Sequence, residues 1–227
     1  MLGLGTSLVK GGKVGRAYVK DGLKLYMPYR GDNITKGTQF VGTGSTSFDD
    51  GSSQYISGTG DCPASAFTVS AWIKKVGASG WYAIYSADTE IWFGLGASEE
   101  IRLHVGGSDR IDTAVSSVTI GTWHHVSATY DGSTTGKIYI DGVDQALTSS
   151  GTLNVPIATA SNIGRHPNGS NYFDGSIKNV AIWERALTAT EIQNVMYKSY
   201  TEVSGRLASG LVSWWSLETS STDNPAG

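Results

Sequence analysis

Disulfides, long apolar runs, long helical patterns and dense charge are all missing from this sequence. It has one cysteine, Cys62, so no intramolecular disulfide forms and nothing marks an oxidising compartment. A buried, inert thiol is the expected role for it. No stretch approaches the roughly 20 apolar residues of a membrane-spanning helix. The start "MLGLGTSLVKGG" carries its lysine after a short apolar run, the reverse of a secretory signal. Charged residues make up only 16% of the chain. These absences set aside membrane-inserted and disulfide-stapled classes and leave a soluble chain made in the cytoplasm as the expectation.

What is present points to strands. Thirty glycines among 227 residues, with frequent Ser and Thr, favour many short strands joined by tight turns, and the length suits one domain with extensions. "FTVSAWIKK" alternates, placing Phe67, Val69, Ala71 and Ile73 on one face and Trp72 on the other. "WHHVSATYDG" sets His124, Val126, Ala128 and Tyr130 together, and in "KIYIDGVDQ" the pair Asp141-Gly142 supplies the positive φ of a type I′ hairpin. "GLKLYMPY" (22–29) reads as a first strand and "FDDGSSQYI" (48–56) as strand, turn and strand. "WYAIYS", "EIWFGLG" and "EIRLHVGG" read as three more. Turn signals recur about every ten residues, the pattern of a sandwich or barrel.

"FDGSIKNVAIWERALTATEI" (173–192) joins a strand directly to a helix. Phe173, Ile177, Ala181 and Trp183 share one face by period-two counting, with Val180 and Ile182 on the other. The strand is therefore covered on both sides, or it changes phase at a bulge near Asn179. Thr188 and Glu191 then have the spacing of a capping box, and Leu187 and Ile192 that of a hydrophobic staple. Ile192, Val195 and Met196 form one apolar stripe.

Charge is uneven: residues 1–30 carry +5 and the rest −8. A basic arm over residues 1–20 on an acidic body suits docking to an acidic protein surface.

The segments "FTVSAWIK", "WHHVSATYDG", "KIYIDGV", "NIGR" and "FDGSIKNVAIWERALTATEI" occur in the order seen in laminin-G-like domains, and the chain resembles that group of the concanavalin A-like lectin/glucanase superfamily over residues 21–200. The resemblance implies an all-β, antiparallel jelly-roll sandwich, its final strand paired near the first and one short C-terminal helix packed after it. Residues 201–227 read as a linker plus an extra strand, or as the start of a second similar domain, because "GLVSWW" echoes "GLKLYM". Trp214 and Trp215 then face opposite ways.

Glucanases of the superfamily carry acids alternating along one strand so that two carboxylates flank the scissile bond. Here Asp88 and Glu90 form the nearest pair and no third acid follows at that spacing, so the chain is read as no enzyme. His124 and His125 are neighbours in a strand and cannot easily share an ion. Many laminin-G-like domains bind calcium at the rim, and the candidate ligands are Asp32, Asn33, Asp49, Asp50 and Asp174. Against this, the acids that often follow F-x-G-x-I are replaced by Lys178 and Asn179. Sugar binding needs exposed aromatic faces with polar groups beside them. Trp81, Tyr82, Trp92 and His104, with Asp109 and Arg110 nearby, are the candidates, core packing being the alternative for Trp92 and a neighbour.

The Gly-, Leu- and Ser-rich start also resembles that of structural proteins of tailed bacteriophages. The leading reading is a non-catalytic virion protein: a capsid decoration, head fibre or tail-associated component assembled in the host cytoplasm. It is expected to be a homo-oligomer that docks on other virion proteins through the basic arm and presents a lectin-like domain to host or environmental glycans. Neither nucleic acid nor a membrane is an expected partner. One alternative is a carbohydrate-binding module of a secreted bacterial enzyme, which would be extracellular. Another is a structural cement protein with no ligand.

Overall fold

The structure is a computed structural model and describes residues 44–217 apart from 60–61, 64, 78, 107–109, 155 and 157. The expected basic arm, the strand expected over 22–29, and Asp32, Asn33 and Asp109 lie outside the described residues.

In chain order the strands are β1 (Thr46–Phe48), β2 (Ile56–Thr59), β3 (Phe67–Lys75), β4 (Tyr82–Ala87), β5 (Ile91–Leu95), β6 (Ile101–Val105) and β7 (Arg110–Asp112). They continue with β8 (His124–Tyr130), β9 (Gly136–Ile140), β10 (Val143–Asp144), β11 (Ser149–Ser150), β12 (Ala160–Ile163) and β13 (Gly175–Trp183). A short helix, α1 (Ala189–Val195), two 3-10 turns and β14 (Leu211–Trp215) end the described chain. The strands form two antiparallel seven-stranded sheets. The back sheet runs β1-β13-β3-β8-β9-β10 with β14 also on β13, and the front sheet runs β11-β7-β6-β5-β4-β12-β2. This is the expected sandwich. The turn after Phe48 carries the chain from one sheet to the other, since β1 lies in the back sheet and β2 in the front.

Alternation decides what fills the space between the sheets. Phe67, Val69, Ala71 and Ile73 of β3 and Val126, Ala128 and Tyr130 of β8 point inward. They meet Ile91, Phe93 and Leu95 of β5 and Ile101, Leu103 and Val105 of β6 in one buried core. The Asp141-Gly142 turn has φ of 51° and 76°, the left-handed pair that a type I′ hairpin demands.

Strand β13 resolves the double-sided apolar pattern. Its register against β3 slips between Lys178 and Ala181, and Asn179 takes φ 49°, so a bulge changes the phase. Ile177 before the bulge and Val180 and Ile182 after it all enter the central core. Ala181 and Trp183 turn outward into a second apolar cluster with Leu187, Ile192, Val195, Leu207 and Trp214. The helix covers the outer face of the back sheet and is held there by its start. The Thr188 hydroxyl accepts from the Glu191 amide at 3.3 Å, and the Glu191 carboxylate accepts from the Thr188 amide at 2.8 Å. Trp72, on the outward face of β3, donates its indole N–H to the Met196 carbonyl at 2.9 Å.

Strands β1 and β14 share one edge of β13: β1 pairs with residues 175–177 and β14 with residues 180–183. "GLVSWW" thus adds a strand to this sandwich, with Trp215 in the central core and Trp214 in the outer cluster.

Candidate functional site

The outer face of the front sheet carries no helix among the described residues, and its outward side chains form a row across the strands. Antiparallel register places Ser57, Asn162, Ser86, Trp92, His104 and Arg110 opposite one another on β2, β12, β4, β5, β6 and β7. A second row contains Gly94, Arg102 and Asp112.

Trp81, just before β4, stands over these rows. Its ring centroid is 5.8 Å from that of Trp92, which in turn lies 5.5 Å from His104. The Arg102 guanidinium carbon sits 4.4 Å from the centre of the Trp81 ring. Arg102 is itself fixed: it donates to Asp112 at 2.5 Å and to Glu100 at 3.0 Å, and Arg110 donates to the other Asp112 oxygen at 2.9 Å. The cation–π contact and the indole below thus hold an aromatic plate that remains 42% exposed, while Trp92 beneath it is only 5% exposed. Gly94 makes room for this arrangement, because a Cβ there would come within 2.2 Å of the Tyr82 carbonyl and 3.0 Å of the Trp92 ring. Burial first, and then the charges of Arg102 and Arg110, push the His104 pKa down to about 4. Its imidazole is neutral near pH 7 and offers a donor and an acceptor rather than a charge.

Toward the other edge the row continues through Arg165. Its guanidinium lies 3.5 Å from the centre of the Tyr55 ring and donates to Asn162 at 3.0 Å. Ser86 donates to the Arg165 carbonyl at 2.7 Å, which ties this group to the centre of the sheet.

Of the aromatic and polar residues proposed from sequence, the fold brings Trp81, Trp92, His104 and Arg110 together. Tyr82 departs from that set. Its side chain is 6% exposed and points into the central core against Phe173, since it neighbours Trp81 at the start of a strand and faces the opposite way. Arg102 was legible as a partner of His104, two positions away in "EIRLHV". Asn162, Arg165 and Tyr55 gave no such local signal.

The candidate calcium ligands Asp49, Asp50 and Asp174 gather where Phe48 pairs with Gly175. Burial raises the Asp174 pKa, and the charges of Asp50 and Asp49 raise it further. The Asp49 carboxylate is engaged by its own turn, accepting from the Gly51 amide at 3.0 Å and the Ser52 hydroxyl at 2.7 Å. Among the described residues no group of three or more His, Cys, Asp or Glu side chains is arranged to hold a metal ion. The described acids alone therefore do not make the site that calcium requires.

A profile described as the concanavalin A-like lectin/glucanase superfamily matches residues 49–193. The chain belongs to that superfamily. No curated protein matches it in sequence. Solved structures that share the fold of this superfamily member include two from bacteria. One is a candidate carbohydrate-binding protein of Bacteroides ovatus, at 19% identity and a TM-score of 0.59, the match covering 78% of this chain and 52% of that one. The chain thus spans about half the length of that protein. The other is domain 4 of AbnA, an extracellular arabinanase of Geobacillus stearothermophilus, solved in complex with arabinotriose. It matches at 21% identity and a TM-score of 0.50, over 62% of this chain and 70% of that one.

Proposed function

We propose that this chain is a non-catalytic carbohydrate-binding module and that a sugar ring stacks on Trp81 at the outer face of the front sheet. The observation that carries the reading is an exposed indole immobilised by Arg102 and Trp92 and bordered by His104 and Arg110. The plate is already ordered, so binding costs little side-chain entropy, and the neighbouring donors and acceptors suit ring hydroxyls. The two carboxylates beside the plate, Glu100 and Asp112, are tied to guanidinium groups. Both are engaged in fixing Arg102 and Arg110 in place. The sugars or sugar-binding assignments that accompany the two similar structures agree with this reading, although those structures share only the fold.

The setting we favour is a module attached to a larger secreted enzyme. Display on a phage particle rests on the first residues of the chain, outside those described. Affinity electrophoresis of the full chain through a panel of neutral and acidic polysaccharides tests the proposal. Retardation is expected with at least one glycan, reduced about tenfold in affinity by Trp81→Ala through lost ring contact, and no reducing ends are released. Unhindered migration with every glycan, or retardation that Trp81→Ala leaves unchanged, refutes the role of this face.

A further inference from the structure

The same face holds a second feature that the aromatic plate does not use. At its β12–β2 edge lies a cavity of about 370 Å³ whose lining includes Ser57, Thr59, Asp88, Asn162, Arg165 and Pro167. Three of these groups are fixed in place, and each keeps hydrogen-bonding capacity toward something other than the described residues. Arg165 is clamped by the Tyr55 ring and the Asn162 oxygen. Its Nε–H is buried beyond a ligand's reach, but among the described residues only Nη2 of its terminal nitrogens donates, to Asn162, and it makes no ion pair. Asn162 uses its oxygen for Arg165, which leaves its amide N–H donors. Asp88 is held through Oδ2 alone, which accepts from the Thr159 amide at 2.6 Å, the Thr159 hydroxyl at 3.2 Å and the Ala160 amide at 3.4 Å. Its Oδ1 remains as an acceptor. The Thr159 amide bond is the leading reason that the Asp88 pKa lies below its ordinary value, so the acceptor is ionised at neutral pH.

A fixed donor fork, an amide and a fixed carboxylate in one cavity complement a ring bearing several hydroxyls, each of which both donates and accepts. The opposite charges of Arg165 and Asp88 offset one another. A carboxylated or sulfated sugar drawn to the guanidinium would also meet the Asp88 carboxylate in the same cavity, which disfavours it. Trp92, under the aromatic plate, and Asn162 are separated by two inter-strand spacings, about 10 Å, with Ser86 between them. Single rings placed at the plate and at the cavity are therefore within reach of one short oligosaccharide crossing the strands.

We infer that the cavity formed by Asp88, Asn162 and Arg165 is a second sugar subsite, which takes one uncharged ring of an oligosaccharide whose other end stacks on Trp81. The inference rests on the reading of the front face as a sugar site, and it adds chain length and neutrality to the ligand. Linking the two subsites makes the second contact intramolecular, so affinity should climb with the number of rings.

The test is calorimetric titration of the full chain with neutral linear arabino-, xylo- and cello-oligosaccharides of one to five units, and with oligogalacturonates of the same lengths. Wild type, Trp81→Ala, Arg165→Gln and Asp88→Asn are compared, each checked for native near-ultraviolet circular dichroism. Asp88→Asn preserves an oxygen for the Thr159 amide and is the variant to rely on should Arg165→Gln disturb the Tyr55 stack. In at least one neutral series, wild-type affinity should rise between one and three or more units. Arg165→Gln and Asp88→Asn should each lose about tenfold for the longer members, the scale of a lost charged hydrogen bond, and change little for the shortest ligand that still binds. Longer ligands that bind both cavity variants as they bind wild type, yet are lost by Trp81→Ala, overturn the second subsite and leave the aromatic site standing. Binding of oligogalacturonates alone overturns the neutrality. Binding that no variant changes, or no binding at all, overturns both readings.

Discussion

Acid should weaken this fold through a histidine that takes no part in the sugar site. His125 lies on the outer face of the back sheet beside Trp72, with Nε2 2.8 Å from the Ser70 hydroxyl and Nδ1 buried without a partner. Burial pushes its pKa from 6.5 down to about 3, against a smaller upward pull from Asp141. The folded-state pKa is thus depressed for a base. The unfolded chain takes up the proton as pH falls through 6.5, whereas the native chain stays neutral until about pH 3. The stability is fully present above 6.5 and is lost progressively down to about 3. At about 1.4 kcal/mol per pH unit, the loss is about 2 kcal/mol at pH 5 and about 3 kcal/mol at pH 4, a large share of a typical stability of about 5–15 kcal/mol. His104, pushed to about 4, contributes in the same window, and its partial exposure makes its share smaller. At Glu191 burial pulls the pKa up, but the hydrogen bonds from Arg185 and Thr188 and the Arg185 charge together outweigh it and bring it to about 2, so its contribution is given up only below its ordinary value of 4.5. Between pH 6.5 and 4.5 the loss therefore comes from the histidines, and the raised pKa of Asp174 works in the opposite direction, adding stability as pH falls. The assay is urea unfolding at pH 7.5, 6, 5 and 4.5 for wild type and His125→Phe, which keeps a ring in the buried site. The variant should start less stable at pH 7.5, having lost the bond to Ser70, and should show about half the fall or less. A wild-type stability that is flat from pH 7.5 to 5, or a variant whose decline matches wild type, refutes the argument.

Thr188→Ala removes the hydroxyl that accepts from the Glu191 amide and should cost about 1 kcal/mol, read as a lower urea midpoint with the slope unchanged. Gly94→Ala would place a Cβ 2.2 Å from the Tyr82 carbonyl. It should force β4 and β5 apart, cost several times as much as the cap variant and shift the Trp92 fluorescence, and a melting curve equal to that of wild type would show that the close approach is absent.

The sequence was most informative wherever a property belongs to one strand. Two-residue periodicity placed Phe67, Val69, Ala71 and Ile73 inside and Trp72 outside. The apolar residues on both sides of Val180 signalled either cover on two faces or a bulge, and β13 has both, because the slip at Asn179 turns Ala181 and Trp183 toward the helix. The capping box and the Asp141-Gly142 turn were equally local, each decided by a few consecutive residues. Tyr82 marks where that logic was misapplied: adjacent aromatics at a strand start cannot both face outward. The Arg165 cavity marks its limit. Asp88, Asn162 and Arg165 come from two segments more than seventy positions apart, and they converge only because β12 inserts between β4 and β2. Alternation predicts which face a side chain occupies, but which strands become neighbours depends on how the chain crosses between sheets, and no short stretch encodes that order. Trp81, Arg102, His104 and Arg110 come from a run of strands that pair with their sequence neighbours, so that part of the face was accessible to local reasoning. A ligand that spans both halves of the face would therefore read the topology of the sandwich as well as its residues, and its length requirement would report on strand order directly.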